Sequence, residues 1–246
     1  MNKLIDKLII FVLSLKTGIK DMRITMYDTL LQLPLFQGLS KNDFTEIIGK
    51  TKFHFTKYND NKLIANQGDV CNKLMFLLNG KIKSLTVDYD NVYSLSETLN
   101  GPTVIEPYSL FGMKPCYQAT YTTAGNVEMV SISKTAILFE LNNYDIFRIN
   151  YLNILSNRSQ ITFDRLWNTH IGNTREKIVN FILIRCNRAD GEKLLNIKMD
   201  YIAHLINDTR INVSRVLNEM QSEGLVELSR KEIYIPELSK LTIDLF

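Results

Sequence analysis

The stretch from Asp200 to Met220, DYIAHLINDTRINVSRVLNEM, decides the fold. Ile202, Leu205 and Ile206 recur at i, i+3, i+4, the spacing of one face of a short helix. Asn207-Asp208 interrupts the pattern, and Asn tolerates the left-handed backbone of a tight turn between helices. Thr209 is a good N-cap for a second helix. That helix turns Val213, Val216, Leu217 and Met220 inward at i, i+3, i+4, i+7. Ile211, Arg215, Asn218 and Ser222 then fall on the outward stripe, flanked by Arg210, Asn212 and Ser214. A second helix with a buried inner face and a polar, arginine-bearing outer face suits the major groove of DNA.

The following residues extend the pattern. Gly224 ends the helix as a C-cap would. Leu225-Val226-Glu227-Leu228 and Glu232-Ile233-Tyr234-Ile235 read as two strands joined at Ser229-Arg230-Lys231. Such a hairpin is a wing, and Arg230 and Lys231 at its tip are cations in reach of phosphate. The plainer alternative is an αα-hairpin with a solvated face. Paired helices, an Asn-Asp turn, a Thr cap and a basic-tipped hairpin in sequence favour the winged helix-turn-helix.

Composition sets bounds. A chain of 246 residues, 45% hydrophobic and 22% charged, has ample material for one or two globular domains. Its three cysteines, Cys71, Cys116 and Cys186, are widely spaced, with no CxxC or Cys/His spacing for zinc or an iron–sulfur cluster. Free thiols in a reducing cytoplasm are the expected state. The excess charge of +3 lies entirely within residues 1–25, where Lys3, Lys7, Lys16, Lys20 and Arg23 oppose Asp6 and Asp21. The rest is balanced, so an electrostatic footprint must come from where cations sit.

Leu4, Leu8, Phe11, Leu15 and Ile19 lie one helical turn apart near the start. The apolar run from Leu8 to Leu15 is far shorter than the ~20 residues of a membrane span. A lysine-rich start before it resembles a signal peptide, but no small-residue cleavage site follows. A helix packed on the body or a partner, a membrane-surface helix, and an extension upstream of a start at Met22 or Met26 remain as readings. Ser40 with Asp43 reads as the cap of a helix carrying Phe44, Ile47 and Ile48. From Lys52 to about Ser133, short alternating runs are separated by turn signals such as Gln67-Gly68-Asp69, Asn79-Gly80 and Gly125-Asn126. Many short strands at this spacing predict a jelly roll. A long helix from about Tyr144 to Thr169 presents Ile149, Leu152, Leu155, Phe163 and Leu166, with Ser159 or Thr162 in the seam. Its length suits a two-chain coiled seam, and packing on its own sandwich is the alternative. Ile171-Gly172-Asn173 reads as a hinge, with Thr174 capping the next helix, whose Ile178, Phe181, Ile182 and Ile184 point inward.

The chain resembles the CRP/FNR family of bacterial transcription regulators from about Met26 onward. Pro34-Leu35-Phe36-Gln37-Gly38-Leu39-Ser40, Ile64-Ala65-Asn66-Gln67-Gly68-Asp69, the strand pair through Leu74-Ile82, and Ile202-Leu217 carry the resemblance in order. It implies an α+β chain: an N-terminal β jelly roll (double-stranded β-helix), a long central dimerisation helix and a C-terminal winged helix-turn-helix. The matching segments are a 1–25 extension, a 26–143 cyclic-nucleotide-binding-like sensor, a 144–170 dimerisation helix and hinge, and a 171–246 DNA-binding domain. It further implies a cytoplasmic homodimer that reads double-stranded DNA at a palindrome, works with RNA polymerase and answers a small-molecule effector.

The base-reading positions match Arg210, Ile211 and Arg215, and Thr209 and Asn212 match phosphate contacts. Ser214, Asn218, Arg230 and Lys231 complete the expected DNA-binding set. Arg215 could take guanine O6 and N7; Ile211 replaces an acidic residue often found there and could touch a thymine methyl instead. The sensor departs further from the family pattern. Its Gly-Glu ribose pair aligns with Ile105-Glu106 and its Arg-Ser/Thr phosphate clamp with Gln118-Ala119, while Thr162 keeps one hydroxyl of a base-contacting pair. Without a guanidinium, a buried phosphate lacks its bidentate partner, so no cyclic AMP or cyclic GMP binding is expected. Glu106 reads equally as an effector ligand and as a turn-capping carboxylate. The cysteine cluster of iron–sulfur oxygen sensors is absent. His54 or Cys71 could ligate haem iron, though a satisfied or surface residue is the commoner fate of either. No metal site and no cofactor are expected. His204 lies beside the core face of its helix, and His170 sits at the hinge. No catalytic triad, phosphate loop or paired-carboxylate signature appears, so an enzyme is not expected. The competing function is an effector sensor or scaffold whose winged domain no longer binds specific DNA.

Overall fold

The computed structural model describes residues 28–167 and 172–242. The 1–25 segment, and the hinge positions His170 and Ile171, lie outside the described residues. A helical turn at 28–32 precedes helix α1 (Lys41–Lys50), which starts at the expected place. Ser40 and Asp43 form a reciprocal capping box there, so two of the orphan N–H groups of the first turn are satisfied. Eight strands then build the sandwich: β1 (Phe53–Tyr58), β2 (Leu63–Ala65), β3 (Lys73–Asn79), β4 (Lys81–Val87), β5 (Ser94–Asn100), β6 (Thr103–Ile105), β7 (Thr120–Thr123) and β8 (Val127–Ser133). One sheet runs β1-β8-β3-β6; the facing sheet contains β2, β7, β4 and β5 in neighbouring order. This is the jelly roll.

Its turns follow their chemistry. Asn61, Gly68, Gly80, Asn91 and Gly125 all take positive φ, a region where glycine and asparagine are least strained. At Gly80 a Cβ would lie 2.5 Å from the Asn126 carbonyl oxygen, so no other residue fits without movement. Gln67 has a structural task. Its side-chain amide donates to the Val87 carbonyl at 2.7 Å and accepts from the Val87 N–H at 2.9 Å, acting as a one-residue strand partner for the end of β4.

After a short helix α2 (Lys134–Phe139), the long helix α3 spans Asp145–Trp167. Phe147 and Tyr151 bury against the sandwich, with Leu155 half-buried beside them. Ile149, Leu152, Phe163 and Leu166 are more than half exposed. With Ser156 and Ser159, also exposed, they follow a strict 3-4-3-4-3 spacing along one stripe. Leu155 belongs on the inner side, a correction to its expected grouping with the stripe. One face of the helix thus packs on its own sandwich, and the other presents an apolar stripe to solvent.

The C-terminal part comprises α4 (Thr174–Arg185), β9 (Lys193–Asn196), α5 (Met199–Leu205), α6 (Arg210–Ser222), β10 (Glu227–Ser229), β11 (Glu232–Ile235) and α7 (Leu238–Leu241). Asn173, not Thr174, caps α4: its side chain accepts from the Glu176 N–H while Glu176 reaches back. Gly172 precedes it at φ +99. Val179 and Leu183 are buried on α4 while Ile184 is only half-buried, which rotates the expected inner face slightly. β10 begins two residues later than expected, leaving Arg230-Lys231 as the turn.

β9 has no counterpart among the strands expected from the sequence. It pairs with β11 on one side and with the sandwich strand β5 on the other, so the facing sheet becomes seven-stranded, in the order β10-β11-β9-β5-β4-β7-β2. Among the described residues no helix is long and apolar enough to cross a membrane.

Candidate nucleic-acid interface

Helices α5 and α6 meet through the turn the sequence proposes. Asn207 takes φ 52, and Thr209 caps α6 by accepting from the Asn212 N–H at 3.2 Å. Val213, Val216, Leu217 and Met220 are buried in one cluster with Ile202 and Ile206, which fixes the roll of α6 about its axis. Ile211, Arg215 and Asn218 are therefore exposed on the opposite side, Ile211 at 79%. His204 is exposed on α5.

Asp208 braces this geometry. Its carboxylate accepts from the Thr174 hydroxyl at 2.6 Å, the Asn212 side-chain amide at 2.9 Å and the Thr209 N–H at 2.7 Å, tying the start of α4 to the start of α6. Those bonds, with the Thr174 hydroxyl foremost, hold the Asp208 carboxyl below its usual pKa. Thr209 and Asn212 thus spend their side chains on the helix's own N-terminus. The remaining α6 amides near that end still carry the positive end of the helix dipole toward any phosphate. Asn218 donates to the Ser214 carbonyl oxygen at 2.7 Å.

Both outward arginines are paired at the surface. Arg215 donates to Glu219 one turn on at 2.7 Å, and Arg210 Nε lies 3.2 Å from Asp200. Each pair is more than half exposed, and such pairs are worth about 0–1 kcal/mol. A guanine edge or a phosphate can therefore displace the carboxylate at little cost. The Glu219 contact is legible as an i, i+4 pair; the Asp200 contact needs the fold. A groove lined by Lys198, Asp200, Arg210, Arg230 and Lys231 joins the start of α6 to the tip of the β10–β11 hairpin. Of the expected DNA-binding residues, Arg210, Arg230 and Lys231 line this groove together with Lys198, while Ile211, Arg215 and Asn218 are exposed on the outward side of α6.

The residues expected to form an effector pocket make a different kind of centre. Glu106 is buried with a left-handed backbone at φ 38. Its carboxylate accepts from the Gln118 N–H at 2.8 Å, the Ala119 N–H at 3.0 Å, the Tyr121 hydroxyl at 2.7 Å and the Ser109 hydroxyl at 2.6 Å. Burial, then the carboxylate beside it, raises the Tyr121 pKa well above its ordinary value, so its proton stays in the hydrogen bond. The Gln118 side chain turns back to the Cys116 carbonyl at 2.9 Å. Glu106, Gln118 and Ala119 come together; no hydrogen bond among the described residues joins Thr162 to them. His54 is exposed on β1, whereas Cys71 is buried with its thiol against the Lys73 carbonyl. Among the described residues no group of three or more His, Cys, Asp and Glu side chains could hold a metal ion.

The profile of the Crp-like helix-turn-helix domain matches residues 176–242. No curated protein matches the chain. Among solved structures, the chain is similar to the catabolite activator protein of Thermus thermophilus, at 20% identity over 85% of this chain and 96% of that one, with a TM-score of 0.48. It is similar to a putative transcriptional regulator of the Crp/Fnr family from Eubacterium rectale, at 18% identity over 85% and 95% of the two chains, with a TM-score of 0.48. A third is the c-di-GMP responsive global regulator CLP of Xanthomonas campestris, at 18% identity over 80% and 99%, with a TM-score of 0.47.

Proposed function

We propose that this chain, whose residues 176–242 are a Crp-like helix-turn-helix domain, is a DNA-binding transcription regulator of the CRP/FNR type. The observation that supports the reading is the groove that joins Arg210 at the start of α6 to the Arg230-Lys231 wing tip, with Ile211 and Arg215 exposed on the outward side of α6. Arg215 reads a guanine and Ile211 a thymine methyl in each half-site. Thr209, Asn212, Ser214 and Asn218 set the register of α6 against the backbone, and Arg230 and Lys231 neutralise phosphates. Two copies joined along the exposed stripe of α3 present two such faces, so the operator is palindromic. The protein acts in the cytoplasm with RNA polymerase as partner, as a regulator and not as an enzyme.

Selection of bound duplexes from a randomised library tests this. Wild type should enrich a palindrome with half-sites about one helical turn apart. Arg215→Ala should lose a base preference in each half, worth about 1–3 kcal/mol per contact. Arg230→Ala should instead weaken all duplexes alike and reduce the salt dependence. Failure of any duplex to be enriched, with binding insensitive to salt, would favour a sensor or scaffold whose winged domain no longer reads DNA.

The effector centre is proposed to take no cyclic nucleotide. The amides of Gln118 and Ala119 already serve the Glu106 carboxylate, and a cyclic phosphate brought beside that anion has no guanidinium to offset the repulsion. Titration calorimetry with cyclic AMP should show no saturable binding; a low-micromolar affinity would overturn this.

A further inference from the structure

We propose that the β5–β9 pairing is an autoinhibitory clasp, which holds the DNA-binding domain against the sensor and weakens DNA binding until it opens. The inference rests on the DNA-binding reading above and adds how that activity is restrained.

The seam is well defined. Ser94, Leu95, Ser96 and Glu97 pair with Asn196, Leu195, Leu194 and Lys193, and Leu95 is buried within the core of the DNA-binding domain. At its end Lys193 Nζ lies 3.3 Å from Glu97, with both side chains essentially inaccessible to water. Glu97 also accepts from the Asn187 N–H at 2.8 Å and from its side-chain amide at 3.0 Å. The flanks are polar too: Thr98 donates to Glu192 at 2.6 Å, and Arg185 donates to the Tyr93 hydroxyl at 2.8 Å.

Such a seam is built to open. A buried ion pair adds little net stability, because desolvation nearly cancels its attraction. Once parted, Glu97, Lys193, Asn187 and Thr98 all regain water, and Leu95 and Tyr93 are the sensor's apolar groups withdrawn from the core they pack on. Apart from Leu95 and Tyr93, which the sensor lends across the seam, the two domain cores are drawn from separate segments of the chain.

The docked position also crowds the wing. A groove beside Lys198, Arg230 and Lys231 is walled on its other side by Asn91 and Val92, from the hairpin between β4 and β5. That hairpin carries Asp88 and the exposed Asp90. A duplex seated on the wing tip would meet this wall and its carboxylates, whose charge repels phosphate within about 10 Å. Separation of β5 from β9 removes both obstacles.

Two further contacts join the clasp to the rest of the sensor. The Tyr108 hydroxyl, two residues from Glu106, donates to Asn187 at 2.8 Å. Arg158 of α3 stacks over the Tyr108 ring at 4.5 Å and donates to the Asn187 carbonyl at 3.4 Å. A change at the Glu106 loop or along α3 therefore reaches the residue that braces Glu97.

The test locks and unlocks the seam in the full chain. Ser96 and Leu194 are cross-strand partners, so their cysteine double variant, in a Cys116→Ser background, should form a disulfide across it. In parallel, Glu97→Gln removes the buried carboxylate paired with Lys193 and should open the seam. Hydrogen exchange at the Leu194–Asn196 amides reports opening; affinity for a palindrome selected with the Glu97→Gln protein reports function. The oxidised lock should bind at least tenfold more weakly than its reduced form, and Glu97→Gln should exchange faster and bind more tightly than wild type. Equal or tighter binding by the oxidised lock would overturn the clasp while leaving the DNA-binding reading intact. An open seam in Glu97→Gln with no DNA binding in any form would overturn the DNA-binding reading, and the clasp with it. Unchanged exchange in Glu97→Gln would overturn the clasp directly.

Discussion

Glu106→Ala should lose on the order of 3–5 kcal/mol of stability, measured by urea denaturation, because it strands buried donors that each cost about 1–3 kcal/mol when unsatisfied. The buried donors are the Ala119 N–H and the Ser109 and Tyr121 hydroxyls, with the part-buried Gln118 N–H beside them. Water entering the vacated space recovers part of the sum, which keeps the total below the arithmetic maximum. Backbone conformation provides a control. Glu106 holds a left-handed φ of 38, which costs a residue with a Cβ about 1–2 kcal/mol. Glu106→Gly should therefore be less damaging than Glu106→Ala by about 1 kcal/mol, despite losing the same hydrogen bonds. Equal stability of wild type and Glu106→Ala would mean that the carboxylate is not the centre of that loop.

The second large effect lies on α3. Ile149→Glu with Leu152→Glu should convert the protein to monomers in sedimentation and reduce affinity for the palindrome by about 10²–10⁴-fold, the usual gain from tethering two sites. The stripe through Ile149, Leu152, Phe163 and Leu166 is apolar and exposed. In the proposed dimer, carboxylates placed there would face their own images across a two-fold axis, where like charges repel. Neither residue is buried in the sandwich core, so far-ultraviolet circular dichroism should not change. A dimer that survives both substitutions would move the interface away from α3.

Much of this was legible in the residue order because it is set by local chemistry. The 3.6-residue periodicity of Val213, Val216, Leu217 and Met220, the Thr209 cap and the left-handed Asn207 are short-range effects, and each occurs where the pattern places it. The strand turns at Asn61, Gly68, Gly80 and Gly125 follow for the same reason. The exposed arginine face is a consequence: once one side of α6 is buried, the other is outward.

What the tertiary structure decided is everything that joins distant residues. Lys193 and Glu97 look in the sequence like ordinary surface charges, almost a hundred positions apart; together they form a buried pair in an unanticipated strand contact. Glu106 reads either as a ligand or as a cap until the fold brings Gln118, Ala119 and Tyr121 to it. Asp208 looks like half of a turn signal, yet it braces two helices by bonding Thr174 and Asn212. Periodicity reports which side of an element is buried, since that depends on near neighbours along the chain. It carries no term for which strand lies alongside or which charge is opposite, because those partners are chosen by the packing of whole layers.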